Sequence, residues 1–233
     1  MSKIKENLDK IEENIALLCK KAGKNRDDIT LVAVTKTAAP EQIKEVYDLG
    51  YRVFGENRLP HLSQAFEYMS NSAPKNDPVR WDMIGHLQRN KVADFLPMVE
   101  RIHSVDSMRL ADQISQTAQK LDRTVDVFIQ ANCSNEDQKF GISPDQAVEL
   151  AQMICEQLPV LRLTGVMTMA AFTDDQLQIA ASFRLAKKIF DRIKDAGFAG
   201  GQFSRLSMGM TNDYHIAIME GATDIRIGSA IFA

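Results

Sequence analysis

The sequence predicts a closed (β/α)₈ barrel of the TIM type, an α/β fold in a single domain over residues 1–233, preceded by one extra N-terminal helix. Three observations predict it. About eight short apolar runs alternate with helical patterns, and βα alternation specifies a parallel sheet. The 233 residues fit eight such units. The turn after the first run is "KTAAP", without the glycines that an open, dinucleotide-binding sheet would want there.

The elements follow in order. In "MSKIKENLDKIEENIALLCKKAG", Ile4, Leu8, Ile11, Ile15 and Leu18 recur at helical spacing, so the stretch reads as an amphipathic helix of the mature protein rather than a secretory leader. "ITLVAVT" is the first strand. Residues 40–49 form a helix that opens on Pro40 and stops before Gly50, as helix-end physics favours. "YRVFGEN" is the second strand, "RLPHLSQAFEYM" a helix, and the Ser/Asn/Pro-rich "SNSAPKNDPV" a loop. "RWDMIGH" and "RIHSVDS" are the third and fourth strands, with a short helix in "RNKVADFLPMV" between them. "MRLADQISQTAQKLD" is a helix, "TVDVFIQAN" the fifth strand and "CSNEDQKFGISP" a polar loop. A helix from Pro144 to about Gln157 leads to the sixth strand, "LRLTGVMTM". The long helix that follows has Thr173 or Asp174 as its cap and Gly197 as its stop. "QFSRLSMGM" is the seventh strand, "NDYHIAIMEG" a short helix closed by Gly221, and "TDIRIGSAIF" the eighth strand.

Composition narrows the function classes. A net charge of −3 gives no support to nucleic-acid binding, and no polybasic run or membrane-length apolar run is present. Cys19, Cys133 and Cys155 are an odd, unpaired set, which fits reduced thiols in a cytoplasmic protein and not a disulfide framework or a zinc site.

In a parallel barrel, chemistry sits at the C-terminal strand ends. Read in order, those ends offer Lys36, Asn57, His86, His103 with Ser104, Asn132, Met167 to Met169, Ser207–Met208–Gly209, and Arg226 with Gly228 and Ser229. Side chains alternate along a strand, so if Val32 and Val34 face inward Lys36 caps the interior. A partly desolvated amine there would lose its proton more readily and suit imine formation with an aldehyde. Taken by itself, Lys36 reads better as a solvated loop lysine. The serines and glycines of "SRLSMGM" and "RIGSA" lie after strands seven and eight, where barrels commonly bind phosphate. Arg226, between Ile225 and Ile227 in a covered strand, should point into the mouth and find a partner. A lysine, a phosphate cradle and an inward arginine together suggest pyridoxal 5′-phosphate, with the arginine donating to the pyridine nitrogen and weakening the ring as an electron sink.

"LVAVTKTAAPEQI", "FGENR", "WDMIGHLQRNK", "IHSVDS", "VFIQAN", "LSMGMTNDY" and "IRIGSAIF" resemble, in that order and over essentially the whole chain, the pyridoxal-phosphate homeostasis proteins, the YggS/PROSC family, which are similar in fold to the barrel of alanine racemases. The resemblance implies that Lys36 is the Schiff-base lysine and that Asn57 lies beside the cofactor. It implies that Ser207, Gly228 and Ser229, with Met208 and Gly209 of the same turn, form the phosphate site, and that Arg226 faces the pyridine nitrogen. It further implies a role in vitamin B6 and amino-acid balance without established turnover. Three departures stand out: His215 replaces a usual acidic residue, Phe140 a smaller or polar one, and the end at Ala233 is slightly early.

The competing class is a pyridoxal-dependent amino-acid racemase. Racemisation needs a base on each face of the α-carbon. Tyr214 is the one tyrosine placed near the mouth, His86 and His103 read better as hydrogen-bonded structural groups, and the early end leaves no second domain to supply a base. A barrel aldolase would share Lys36 without needing Arg226. The expected partners are pyridoxal phosphate and related B6 vitamers, with no nucleic acid or membrane, and the chain is expected as a monomer or weak dimer.

Overall fold

A computed structural model describes residues 2–134, 136 and 138–233. Eight parallel strands pair in chain order and close: β1 (Thr30–Val34), β2 (Val53–Glu56), β3 (Arg80–Met83), β4 (Arg101–Val105), β5 (Val125–Gln130), β6 (Leu161–Met167), β7 (Arg205–Met210) and β8 (Asp224–Ile227). β8 pairs back onto β1, with Val32 opposite Arg226. The helices are α1 (Lys3–Lys21), α2 (Pro40–Asp48), α3 (Leu59–Ser72), α4 (Val92–Phe95), α5 (Met108–Lys120), α6 (Ala147–Gln157), α7 (Gln176–Ala196), α8 (Tyr214–Met219) and α9 (Ser229–Phe232).

The order of elements matches the sequence reading, and the differences lie at element ends. The strands are shorter than the apolar runs, because pairing stops where the barrel mouth opens. "TDIRIGSAIF" is not one strand: β8 ends at Ile227, and residues 229–232 turn into α9. α7 is capped by Asp175, whose carboxylate accepts from the Leu177 N–H, rather than by Thr173 or Asp174. It stops at Gly197, whose φ of 76° is the left-handed conformation that glycine adopts freely. α6 starts at Ala147, three residues after Pro144.

The apolar core lies between the barrel and its helices. α1 buries Ile4, Leu8, Ile11, Ile15 and Cys19 and packs along α8 and α9, the two helices that follow β7 and β8. Each of those aliphatic side chains contributes about 1.5–3 kcal/mol of burial. Asn7 Nδ2 adds a bond to the Ile231 carbonyl at 3.1 Å.

The barrel interior is not filled by aliphatic layers alone. Asp82, His103, Ser207, Asp224 and Arg226 are all buried in or beside it. At its lower end Arg101 donates through Nε to Asp82 at 2.8 Å and through Nη1 to Asp224 at 3.2 Å, and Arg205 Nε donates to Asp224 at 2.9 Å. Burial pushes both carboxyls up. For Asp82, Arg101 and His103 outweigh it, and for Asp224, Arg101 and Arg205 do, so both sit below their ordinary range. Gly165 lets β6 approach β7 here: a Cβ on it would lie 2.0 Å from the Arg205 carbonyl oxygen.

A depressed carboxylate pKa stabilises the fold above the unfolded-state value and loses that contribution as pH falls toward the folded one. Asp82→Asn is therefore expected to destabilise the chain by about 3–5 kcal/mol near neutrality, the cost of stranding a buried charge. The gap to the parent should narrow below about pH 4. Urea unfolding at both pH values checks this, and a gap independent of pH would remove the carboxylate from the explanation.

Candidate functional site

Lys36 lies in the turn after β1, beside the end of β2: Thr35 N–H donates to the Gly55 carbonyl at 3.1 Å, which sets Lys36 next to Asn57. Its side chain is exposed, so the partial desolvation expected for the amine is not met; β1 ends at Val34 and the turn lifts Lys36 clear of the interior. The residue beneath it, Thr35, is buried and hydrogen-bonded to the Glu56 carboxylate. Glu56 is fully buried and also contacts His61 Nδ1 at 2.7 Å, while His61 Nε2 lies 3.0 Å from the Ala38 carbonyl. Sequence reasoning passed over Glu56 and His61. The signal available was a charged residue at the end of a covered strand, in "FGEN", with a histidine five positions on.

Asn57 follows Glu56, and its Oδ1 is buried without a partner. Gly85 leaves room for it, since a Cβ there would come within 2.6 Å of the Asn57 Cβ. Asn57 also opens onto a cleft of about 310 Å³ shared with Leu59, His86 and Gln88. His86 is exposed, stacked on Phe140 at 3.9 Å and 3.8 Å from Asp106, so it covers the β3–β5 side of the mouth. Gln130, at the end of β5, donates to the Phe140 carbonyl at 3.1 Å and keeps a buried, unpartnered Oε1.

Opposite lie the ends of β7 and β8. Gly228 sits close against β1, where a Cβ would lie 2.9 Å from the Val34 carbonyl oxygen. Ser229 is exposed and its hydroxyl donates to Thr211 Oγ1 at 3.1 Å. The paired hydroxyls at this rim are therefore Thr211 and Ser229, and Thr211 is a residue the sequence reading did not select. Gly209, at φ 92°, reverses the chain into α8, and a Cβ on it would meet Ala217 Cβ at 2.5 Å. Met208 faces the outer core, so only its backbone reaches the mouth.

Ser207 points inward instead of to the rim. Its hydroxyl lies 2.7 Å from Arg226 Nη1 and 3.0 Å from His103 Nδ1. Arginine only donates, so Ser207 accepts from Arg226 and gives its one proton to His103 Nδ1. The His103 proton is then on Nε2, which faces Asp82 Oδ2 at 3.1 Å, although not in line for a full hydrogen bond. Burial pushes the imidazole's affinity for a second proton down, against the pull of Asp82. His103 also stacks on Phe128 at 4.1 Å.

Arg226 is buried as expected, and its partners are two neutral oxygens, Ser207 Oγ and the Thr168 carbonyl at 2.9 Å. Among the described residues no carboxylate lies within ion-pair distance of it. Burial lowers its pKa to about 10, opposed by Asp213 and Asp224, so it stays cationic near neutrality. Tyr214 is directed away: its phenol oxygen accepts from Asn14 Nδ2 of α1 at 2.6 Å. Asn132 is folded into its own loop, donating to the carbonyls of Glu136 and Lys139. Among the described residues there is no cluster of metal-ligating side chains and no helix long and apolar enough to cross a membrane.

Comparison with known proteins agrees with the fold. The family model "Alanine racemase, N-terminal domain" matches residues 7–233. A Helicobacter pylori pyridoxal phosphate homeostasis protein is 38% identical over 205 residues, covering 88% of this chain and 87% of the relative. A crystal structure of a Bifidobacterium adolescentis protein superposes with a TM-score of 0.91 at 34% identity, covering 98% of this chain and 94% of the other. PipY of Synechococcus elongatus with PLP bound gives 0.81 at 28% identity, covering 96% and 100%. The chain thus belongs to the pyridoxal phosphate homeostasis proteins, built on the alanine racemase N-terminal domain fold.

Proposed function

We propose that this chain binds pyridoxal 5′-phosphate at the barrel mouth, with Lys36 as its covalent Schiff-base anchor, and serves vitamin B6 and amino-acid homeostasis in the cytoplasm as a non-catalytic holder of the cofactor. The observation that carries this reading is Arg226, a buried guanidinium with only neutral partners. A buried cation without a counter-ion is costly, and an anionic ligand above it offsets that cost. The residues present fit the cofactor. Thr211 and Ser229 supply hydroxyls for a phosphate where β8, closed against β1 at Gly228, turns into α9. Asn57 Oδ1 is an acceptor waiting for a donor. Ser207 acts on Arg226 from below instead of on the phosphate.

When bound, pyridoxal phosphate supplies an aldehyde that a lysine amine takes up reversibly and a ring that can draw electrons. Arg226 does not surrender its proton near neutrality, so an acceptor facing it stays unprotonated and draws electrons weakly. The exposed position of Lys36 favours exchange of the ligand with solvent over sequestered carbanion chemistry. Among the described residues, the side chains weighed as a second base are each engaged elsewhere. Tyr214 is bonded to Asn14, His103 is enclosed by Asp82, Ser207 and Phe128, and His86 is stacked under Phe140. These placements favour the holder over the racemase.

The purified chain loaded with pyridoxal phosphate is expected to absorb in the visible, and Lys36→Ala should abolish that band. Borohydride trapping followed by peptide mass spectrometry should place the adduct on Lys36; an adduct elsewhere, or a band that survives the substitution, would reject the anchor. Arg226→Gln should weaken cofactor binding at least about tenfold, the order expected of one lost charge-assisted hydrogen bond. The ligand-free variant should melt no lower than the parent, because a buried unpaired charge has been removed. Turnover across a panel of amino acids should stay at background, and clear racemisation would overturn the holder reading.

A further inference from the structure

The turn that carries Lys36 is held by a side chain from another element. Residues 35–38 leave β1 and reverse direction, with the Ala38 N–H donating to the Thr35 carbonyl at 2.8 Å. His61, on the first turn of α3, reaches across to this turn. Its Nε2 lies 3.0 Å from the Ala38 carbonyl oxygen and its Nδ1 2.7 Å from Glu56 Oε1. The same Glu56 oxygen takes the Thr35 hydroxyl. Glu56 is fully buried and His61 about a quarter exposed. One carboxylate therefore ties together the residue before Lys36, the end of β2 and the first turn of α3, and the imidazole ties in the residue two past Lys36.

A carbonyl oxygen only accepts, so Nε2 carries a hydrogen and donates to Ala38. Across the 2.7 Å contact between Nδ1 and Glu56 Oε1 a single proton completes the hydrogen bond, whichever of the two atoms holds it. With Nε2 as donor the ring bridges both oxygens at once.

We infer that His61 is a positioning residue for Lys36: bridging the Glu56 carboxyl and the Ala38 carbonyl, it clamps the turn that presents the lysine amine to the mouth. The functional part rests on the reading of Lys36 as the covalent anchor. The clamp itself does not, because it exists in the ligand-free chain. Its consequence is an ordered lysine on an exposed turn. Lys36 is free to react and to release, yet its backbone is held within reach of Asn57 on one side and Gly228 on the other.

The test uses the full-length chain. Histidine ¹⁵N shifts of the ligand-free protein near neutrality, assigned by comparison with His61→Gln, should show Nε2 of His61 carrying a proton; a ring protonated at Nδ1 alone overturns the clamp without any change to the fold. Amide hydrogen exchange should then be compared in the parent, His61→Ala and His61→Gln. In His61→Ala the Thr35–Ala38 amides should exchange about tenfold faster, the order of one hydrogen bond. His61→Gln can still donate to the Ala38 carbonyl and should recover part of the protection. Unchanged exchange in this turn also overturns the inference, since a merely structural role would spread its effect through α3 and leave the turn no worse than its surroundings. Borohydride trapping of pyridoxal phosphate on Lys36 should need about tenfold more cofactor in His61→Ala. If the turn loosens but the parent itself traps no cofactor on Lys36, the clamp stands and the anchor reading fails.

Discussion

Charge pairing inside the barrel is the constraint on which the rest of this structure depends. Parallel barrels are commonly filled by branched aliphatic side chains. Here Asp82 and Asp224, both without solvent contact, are bridged by Arg101, and Asp224 is held again by Arg205. Those bonds join β3, β4, β7 and β8 across the lumen, so they fix the positions of strands that are far apart in the chain. Removing one partner would strand a charge in a medium that cannot solvate it.

From that floor a polar column rises to the mouth. Asp82 faces His103, His103 meets Ser207, and Ser207 meets Arg226. Because arginine only donates, the Ser207 hydroxyl accepts from Arg226 and gives its proton to His103. The column orders Arg226 without neutralising it. Arg101 and Arg226 illustrate two uses of the same residue type: the first is matched to carboxylates and raised in pKa, the second is left with neutral oxygens and lowered to about 10. The first joins strands of the barrel, and the second, on the proposed function, would meet an anion.

The rim is organised by short-range contacts around the same mouth. Gly228 lets β8 close against Val34, Gly85 makes space for Asn57, and Gly209 turns the chain so that α8 packs beneath the cradle. α1, packed on α8 and α9, braces the elements that carry Thr211 and Ser229. His61 and Glu56 hold the Lys36 turn from the β2 side. On the proposed function, an exposed lysine on a braced turn and a buried guanidinium would together hold a ligand that comes and goes.

The sequence by itself determined the order of the eight βα units, the N-terminal helix and the set of strand ends where chemistry gathers, because periodicity and turn residues are local signals. It marked Arg226 as inward from a charge placed between two isoleucines, and it brought Lys36, Asn57 and the β7 and β8 ends to one face through topology. What it could not decide was the direction of single side chains one residue past a strand. Lys36 was expected to be half-buried and is exposed; Ser207 was expected at the rim and lies beneath Arg226; Thr211, Glu56 and His61 were passed over. Two of these depend on partners well separated along the chain, His103 for Ser207 and Ser229 for Thr211. A hydrogen bond exists only where tertiary structure sets a donor against an acceptor, and no local pattern encodes that distance.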